Sequence, residues 1–135
     1  MPGGIGWHPY FSAGLEEGLT CDAATEWPRA AVFPELVPAA RSETLHYPSA
    51  PFTLHLSRWT CATISLESGA RINLRADASL PHLVLHRRLK YVCMEPVSHV
   101  AGAFGLSSEV QHECGLATLH PGQGLLGRLS VTVAS

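Results

Sequence analysis

The stretch Ala62-Thr63-Ile64-Ser65-Leu66-Glu67-Ser68-Gly69-Ala70-Arg71-Ile72-Asn73-Leu74-Arg75-Ala76 decides the fold class. Apolar and polar side chains alternate through Ala62–Leu66 and again through Arg71–Ala76. A period of two sends successive side chains to opposite faces, so each run predicts a strand with one buried face. Ser68-Gly69 between them supplies turn residues, and the pair predicts an antiparallel hairpin.

The same pattern continues outward. Residues 80–86 and Tyr91–Val97 predict further strands, joined by a basic turn at Arg87, Arg88 and Lys90. That cluster reads as a solvated strand end. Residues 127–133 predict a last strand, with Leu129, Val131 and Val133 on one face, entered through the turn Pro121-Gly122-Gln123-Gly124. Residues 30–40 are apolar, but Pro34 and Pro38 would each break a helix interior, so this segment is expected to be extended or loop with a short strand. No stretch carries a helical period. Short strands at close spacing predict an all-β antiparallel β-sandwich. Nothing divides the chain, so one domain over residues 1-135 is expected.

Composition narrows the function classes. The chain has 135 residues, 46% hydrophobic and 15% charged, which suits a globular rather than a disordered protein. A formal net charge of −2 supplies no field for nucleic acid or an anionic membrane, and neither partner is expected. No apolar run reaches transmembrane length, and Met1-Pro2-Gly3-Gly4 does not begin a signal peptide. Cys21, Cys61, Cys93 and Cys114 form no CxxC pair; Cys61 and Cys93 sit in apolar strand patterns and read as buried thiols. A reduced, cytoplasmic protein is the expectation. Among eight histidines, His82 and His86 are four apart, but on a strand that separates them by ~13 Å. Zinc needs its ligands at about 2 Å, so no metal site is expected from them. His46, His55, His112 and His120 are expected at the surface or in loops.

Three segments, in order, carry a family resemblance. They are Gly6-Trp7-His8-Pro9-Tyr10-Phe11, then Tyr91-Val92-Cys93-Met94-Glu95-Pro96-Val97-Ser98-His99, and Leu119-His120-Pro121-Gly122-Gln123-Gly124-Leu125-Leu126-Gly127-Arg128. Together they resemble the histidine segment, the glutamate segment and the closing turn and strand of aldose 1-epimerases, the galactose mutarotase family. The resemblance spans nearly all of this chain, as the C-terminal half of such a protein. It implies a galactose mutarotase-like supersandwich with a sugar bound on one face. It implies interconversion of the α and β anomers of aldohexoses without cofactor. Relatives of the family act on sugar phosphates, and others bind sugar without turnover.

The resemblance also assigns roles. Opening a cyclic hemiacetal needs one group to take the proton of the C1 hydroxyl and another to protonate the ring oxygen. By resemblance Glu95 is the base and His8 the acid. Burial in an apolar strand would raise the basicity of Glu95. Trp7 and Tyr10 could offer the sugar an apolar face, and His99 could line the cleft. Thr53 stands where many members carry an acidic residue that grips sugar hydroxyls. For a phosphosugar, Arg71, Arg75, Arg87 and Arg88 are candidate donors. Without the resemblance, His8 beside aromatics reads as a structural histidine, and Glu95 as the partner of a buried arginine such as Arg71 or Arg75.

Two departures matter. Family enzymes are about twice this length, and their N-terminal half supplies an arginine and a further histidine to the site. Thr53 lacks the acceptor strength of a carboxylate, and Gly102 and Gly105 stand where acidic and amide residues are common. Weak or absent turnover by this chain alone is therefore expected, with a non-catalytic carbohydrate-binding pseudoenzyme as the alternative. Half a sandwich would leave strand edges open, so self-association or association with a missing half is expected.

Overall fold

Alternation recurs well beyond residues 62–76. The computed structural model describes residues 1–12, 16–27, 39–40, 45–47 and 50–135. Among them lie strands β1 (Pro2–Gly3), β2 (Tyr10–Ser12), β3 (Glu16–Cys21), β4 (Thr25–Trp27), β5 (Ala39–Ala40) and β6 (Leu45–Tyr47). There follow β7 (Phe52–Ser57), β8 (Ala62–Leu66), β9 (Arg71–Ala76), β10 (His82–Arg87) and β11 (Tyr91–Val97). After a 3-10 turn at Ala103–Gly105 come helix α1 (Ser108–Glu113), β12 (Ala117–Thr118) and β13 (Leu129–Ala134).

The strands pair antiparallel into a six-stranded sheet ordered β2-β11-β10-β7-β4-β5 and a five-stranded sheet ordered β13-β9-β8-β3-β6. A separate short pair, β1-β12, is also antiparallel. The β8–β9 hairpin turns at Gly69, whose φ of 87° is a left-handed conformation that favours glycine, and Leu66 N–H donates to the Ala70 carbonyl. The two sheets enclose one apolar core. Leu19, Ala62, Ile64 and Leu74 come from the five-stranded sheet, and Leu56, Leu83, Leu85, Val92 and Met94 from the six-stranded one. Each of the larger side chains (Leu, Ile, Val and Met) contributes about 1.5–3 kcal/mol when fully buried, which is what joins the sheets. The fold is thus an all-β antiparallel sandwich.

Strand boundaries from the alternation are close to those observed. Tyr91–Val97 coincides with β11, while the strands expected over 80–86 and 127–133 lie at His82–Arg87 and Leu129–Ala134. Helix α1 left no periodic signal because its six residues make fewer than two turns and bury none of their side chains. The basic turn needs correction: Arg88 and Lys90 are exposed, but Arg87 is only 6% exposed. It shares the inward-facing parity of Leu83 and Leu85 on β10. Residues 28–38, most of the proline-rich stretch, lie outside the described residues, and Ala39–Ala40 forms β5.

Strand parity sorts the six-stranded sheet into two chemically different faces. Leu54 and Leu56 of β7, Leu83 and Leu85 of β10, and Val92 and Met94 of β11 face the core. The alternate residues face away from it. They are Thr53, His55 and Ser57; His82, Val84 and His86; and Cys93, Glu95 and Val97. A sheet face this polar, backed by a largely apolar one, is where a polar ligand can be held. Residues 98–116 fold over one end of it, packing Val100, Ala103, Cys114 and Leu116 against Trp27 and Leu106.

Candidate functional site

The site is built by an N-terminal segment laid along β11, with its own β2 as the edge of the six-stranded sheet. Tyr10 pairs with Cys93 on β11, and in the same register Gly6 bridges Val97. That register puts His8 directly opposite Glu95. Pro9 and Pro96 lack amide donors, so regular ladder bonding is interrupted between these anchors. The segment is held instead by Trp7 N–H to the Pro96 carbonyl at 2.9 Å and Ser98 N–H to the Ile5 carbonyl at 2.8 Å. Close approach explains Gly6: a Cβ there would lie 2.6 Å from Cγ1 of Val97. The indole of Trp7 donates to the Gly127 carbonyl at 3.2 Å, tying the segment to the start of the last strand.

His8 Nε2 meets Glu95 Oε1 at 3.2 Å. The histidine side chain is 53% exposed and the glutamate 15%, so the pair opens to solvent on the histidine side. Partial burial raises the pKa of Glu95 above its ordinary value, while the nearby His8 charge lowers it; burial is the larger effect. Tyr10 stacks on the imidazole with ring centres 4.8 Å apart and an interplanar angle of 23°. Tyr91 meets Tyr10 edge-on at 5.3 Å. These rings restrict the orientation of His8.

Next to the pair lies Cys93, fully buried and two residues before Glu95 on the same face of β11. Burial pushes its thiol up to about 11, with a further push from the Glu95 charge. Sulfur, carboxylate and imidazole ligand atoms of Cys93, Glu95 and His8 all lie within 4.8 Å of one another. Across from Cys93, His86 of β10 shares a hydrogen bond of 2.7 Å between its Nδ1 and the Thr53 hydroxyl. Burial is the first cause that lowers the His86 pKa, followed by the charges of Arg88 and His8.

A second histidine group lies at the capped end. His55 and His82 are 9% and 7% exposed, with ring centres 5.3 Å apart. Ala101 N–H donates to His55 Nδ1 at 3.3 Å. Burial holds both rings down to about 4, His82 and His99 adding to the effect on His55, and His99 to that on His82. His99 itself packs edge-on against Phe104 at 5.2 Å.

The structure thus brings His8, Glu95 and Tyr10 together and places Thr53 on the same face, two strands from β11. Trp7, 48% exposed, lies beside them with its indole nitrogen already engaged. His99 is grouped with His55 and His82. The expected surface position of His55 is corrected: it sits on a central strand under the 98–116 segment. Glu95 meets His8, whereas Arg71 and Arg75 belong to β9 in the opposite sheet. Cys93 and His86 were missed as site residues. Cys93 was within reach of parity, being two before Glu95; His86 joins only through strand pairing.

No protein-family model matches the sequence, and no curated protein matches it. Among solved structures, the chain is similar to one described as a "Putative aldose 1-epimerase" from Escherichia coli K12, with a TM-score of 0.75 and 19% identity. The match covers 99% of this chain and 51% of that one. The fold is therefore aldose 1-epimerase-like, and the chain spans about half the length of that structure.

Proposed function

We propose that the polar face of the six-stranded sheet is a sugar site at which Glu95 and His8 open and reclose the hemiacetal of an aldohexose. The observation that carries this is their direct opposition at 3.2 Å, open to solvent on the His8 side, on the polar face of an aldose 1-epimerase-like fold. The reaction acts on two oxygens bonded to one carbon, C1. An acid and a base whose working atoms converge at this separation suit that geometry. Glu95 takes the proton from the C1 hydroxyl as His8 Nε2–H gives one to the ring oxygen and the C1–O bond breaks. The aldehyde rotates, and ring closure reverses both transfers with the roles exchanged. Partial burial of Glu95 strengthens it as a base.

A neutral aldohexose fits better than a phosphosugar. Arg71 and Arg75 lie on the opposite sheet and Arg87 is buried, which leaves Arg88 as the candidate whose charge reaches His86. No further cofactor enters this proton transfer. Free thiols at all four cysteines are compatible with a reducing, cytoplasmic setting, which is part of the proposal. Among the described residues, no helix is long and apolar enough to cross a membrane.

One observation favours a second reading, binding without turnover. Thr53 offers a hydroxyl already bonded to His86, not a free carboxylate, to a sugar. Polarimetry of freshly dissolved α-D-glucose and α-D-galactose, run beside ligand-observed NMR, separates the two. Faster mutarotation supports the enzyme, binding with an unchanged rate supports the pseudoenzyme, and neither signal sinks both.

A further inference from the structure

We propose that His8, Cys93 and Glu95 form a zinc-binding site, with an imidazole nitrogen, a thiolate and a carboxylate oxygen as ligands and a fourth position open to solvent. The donor set is the first reason. Imidazole, thiolate and carboxylate are the three side-chain donors zinc takes, at about 2.0–2.3 Å. An oxygen-only cage, which magnesium or calcium would need, is not what these residues offer.

Spacing is the second reason. Ligands at those bond lengths around a tetrahedral ion stand roughly 3.3–3.7 Å from one another. His8 Nε2 and Glu95 Oε1 are already 3.2 Å apart, and all three ligand atoms fall within 4.8 Å. Small rotations of two side chains close the remaining gap. Among the described residues, no other group of three such side chains meets this spacing.

Preorganisation is the third. Cys93 and Glu95 sit two apart on one face of a central strand, and His8 lies across from Glu95 in fixed register. Tyr10 stacks on the imidazole, so little order has to be gained on binding. The open side is the half-exposed His8 edge, through which the ion reaches a buried sulfur. As the Zn–S bond forms, sulfur donates a lone pair, the thiol proton leaves to solvent, and no electron is transferred. The site stands whether or not the chain turns over sugar; zinc there would occupy both His8 and Glu95 and block the proposed chemistry.

Cobalt titration of the whole chain tests this. We expect one cobalt per chain, with a sulfur-to-metal charge-transfer band in the near ultraviolet that zinc abolishes by competition. Cys93→Ser should remove the band and weaken zinc binding at least about ten-fold. Cys61→Ser should leave both unchanged. Glu95→Gln, a near-isosteric change, should also weaken zinc while circular dichroism stays that of wild type. A charge-transfer band that survives in Cys93→Ser, equal zinc affinity in that variant, or no uptake of either metal would each overturn the site.

Discussion

Replacing Glu95 with glutamine separates a chemical role for this residue from a structural one. Glutamine keeps the length and shape of the side chain, and its amide oxygen can still accept from His8 Nε2–H across the present 3.2 Å. What it loses is the ability to take a proton. Loss of a positioned general base costs roughly 10²–10⁴-fold in rate, or about 2.7–5.5 kcal/mol in the barrier. Stability should move the other way. Burial raises the Glu95 pKa, so the ionised carboxylate is less at home in the fold than in the unfolded chain. A raised pKa means stability is fully present below the unfolded value near 4.5 and is lost as pH rises through the folded value. Glutamine removes that loss, so Glu95→Gln should melt no lower than wild type at pH 7, and any advantage should vanish below the unfolded value. The assay is polarimetric mutarotation beside a thermal melt. An unchanged rate would refute the base; a fall of more than about 1 kcal/mol, roughly 4 °C for a chain of this size, would make the carboxylate a structural group.

Other expectations follow from the core, the buried histidines and the sheet edge. Leu85→Ala, in the centre of the sandwich, should cost about 2–5 kcal/mol in chemical denaturation, and a loss under 1 kcal/mol would contradict the two-sheet packing. His55 and His82 are held down to about 4 from 6.5, so both are neutral in the fold. Stability they permit is present above pH 6.5 and lost as pH falls toward 4, because the unfolded chain takes up protons first. Denaturant midpoints measured between pH 7 and pH 4 should fall through that window, less steeply in His82→Gln; equal slopes would mean the rings are not buried neutral. Strand β13 ends the five-stranded sheet, carries no charge and exposes Val131 and Val133. Sedimentation should show concentration-dependent association that Val133→Lys weakens, and a monomer at high concentration would count against an open edge.

Much of the architecture is legible locally because a strand's period is two and needs no distant partner to be seen. Ala62–Leu66, Arg71–Ala76 and Tyr91–Val97 reveal themselves this way, and parity on β11 already puts Tyr91, Cys93 and Glu95 on one face. The family resemblance singles out His8 and Glu95, and the structure places their side chains 3.2 Å apart. Short strands such as β2 and β4, and the six-residue α1, carry too few residues for a period to emerge.

What the sequence determined by itself is therefore a set of two-faced strands and the all-β class. Only the tertiary structure decided what those faces meet. Strand order β2-β11-β10-β7 is long-range, and it alone puts His8 opposite Glu95, 87 positions later in the chain, and His86 between Cys93 and Thr53. Burial of His55 and Arg87 likewise depends on which segment or sheet lies over them. A local pattern records how a side chain points relative to its own backbone; it holds no record of which distant strand the backbone hydrogen bonds will recruit.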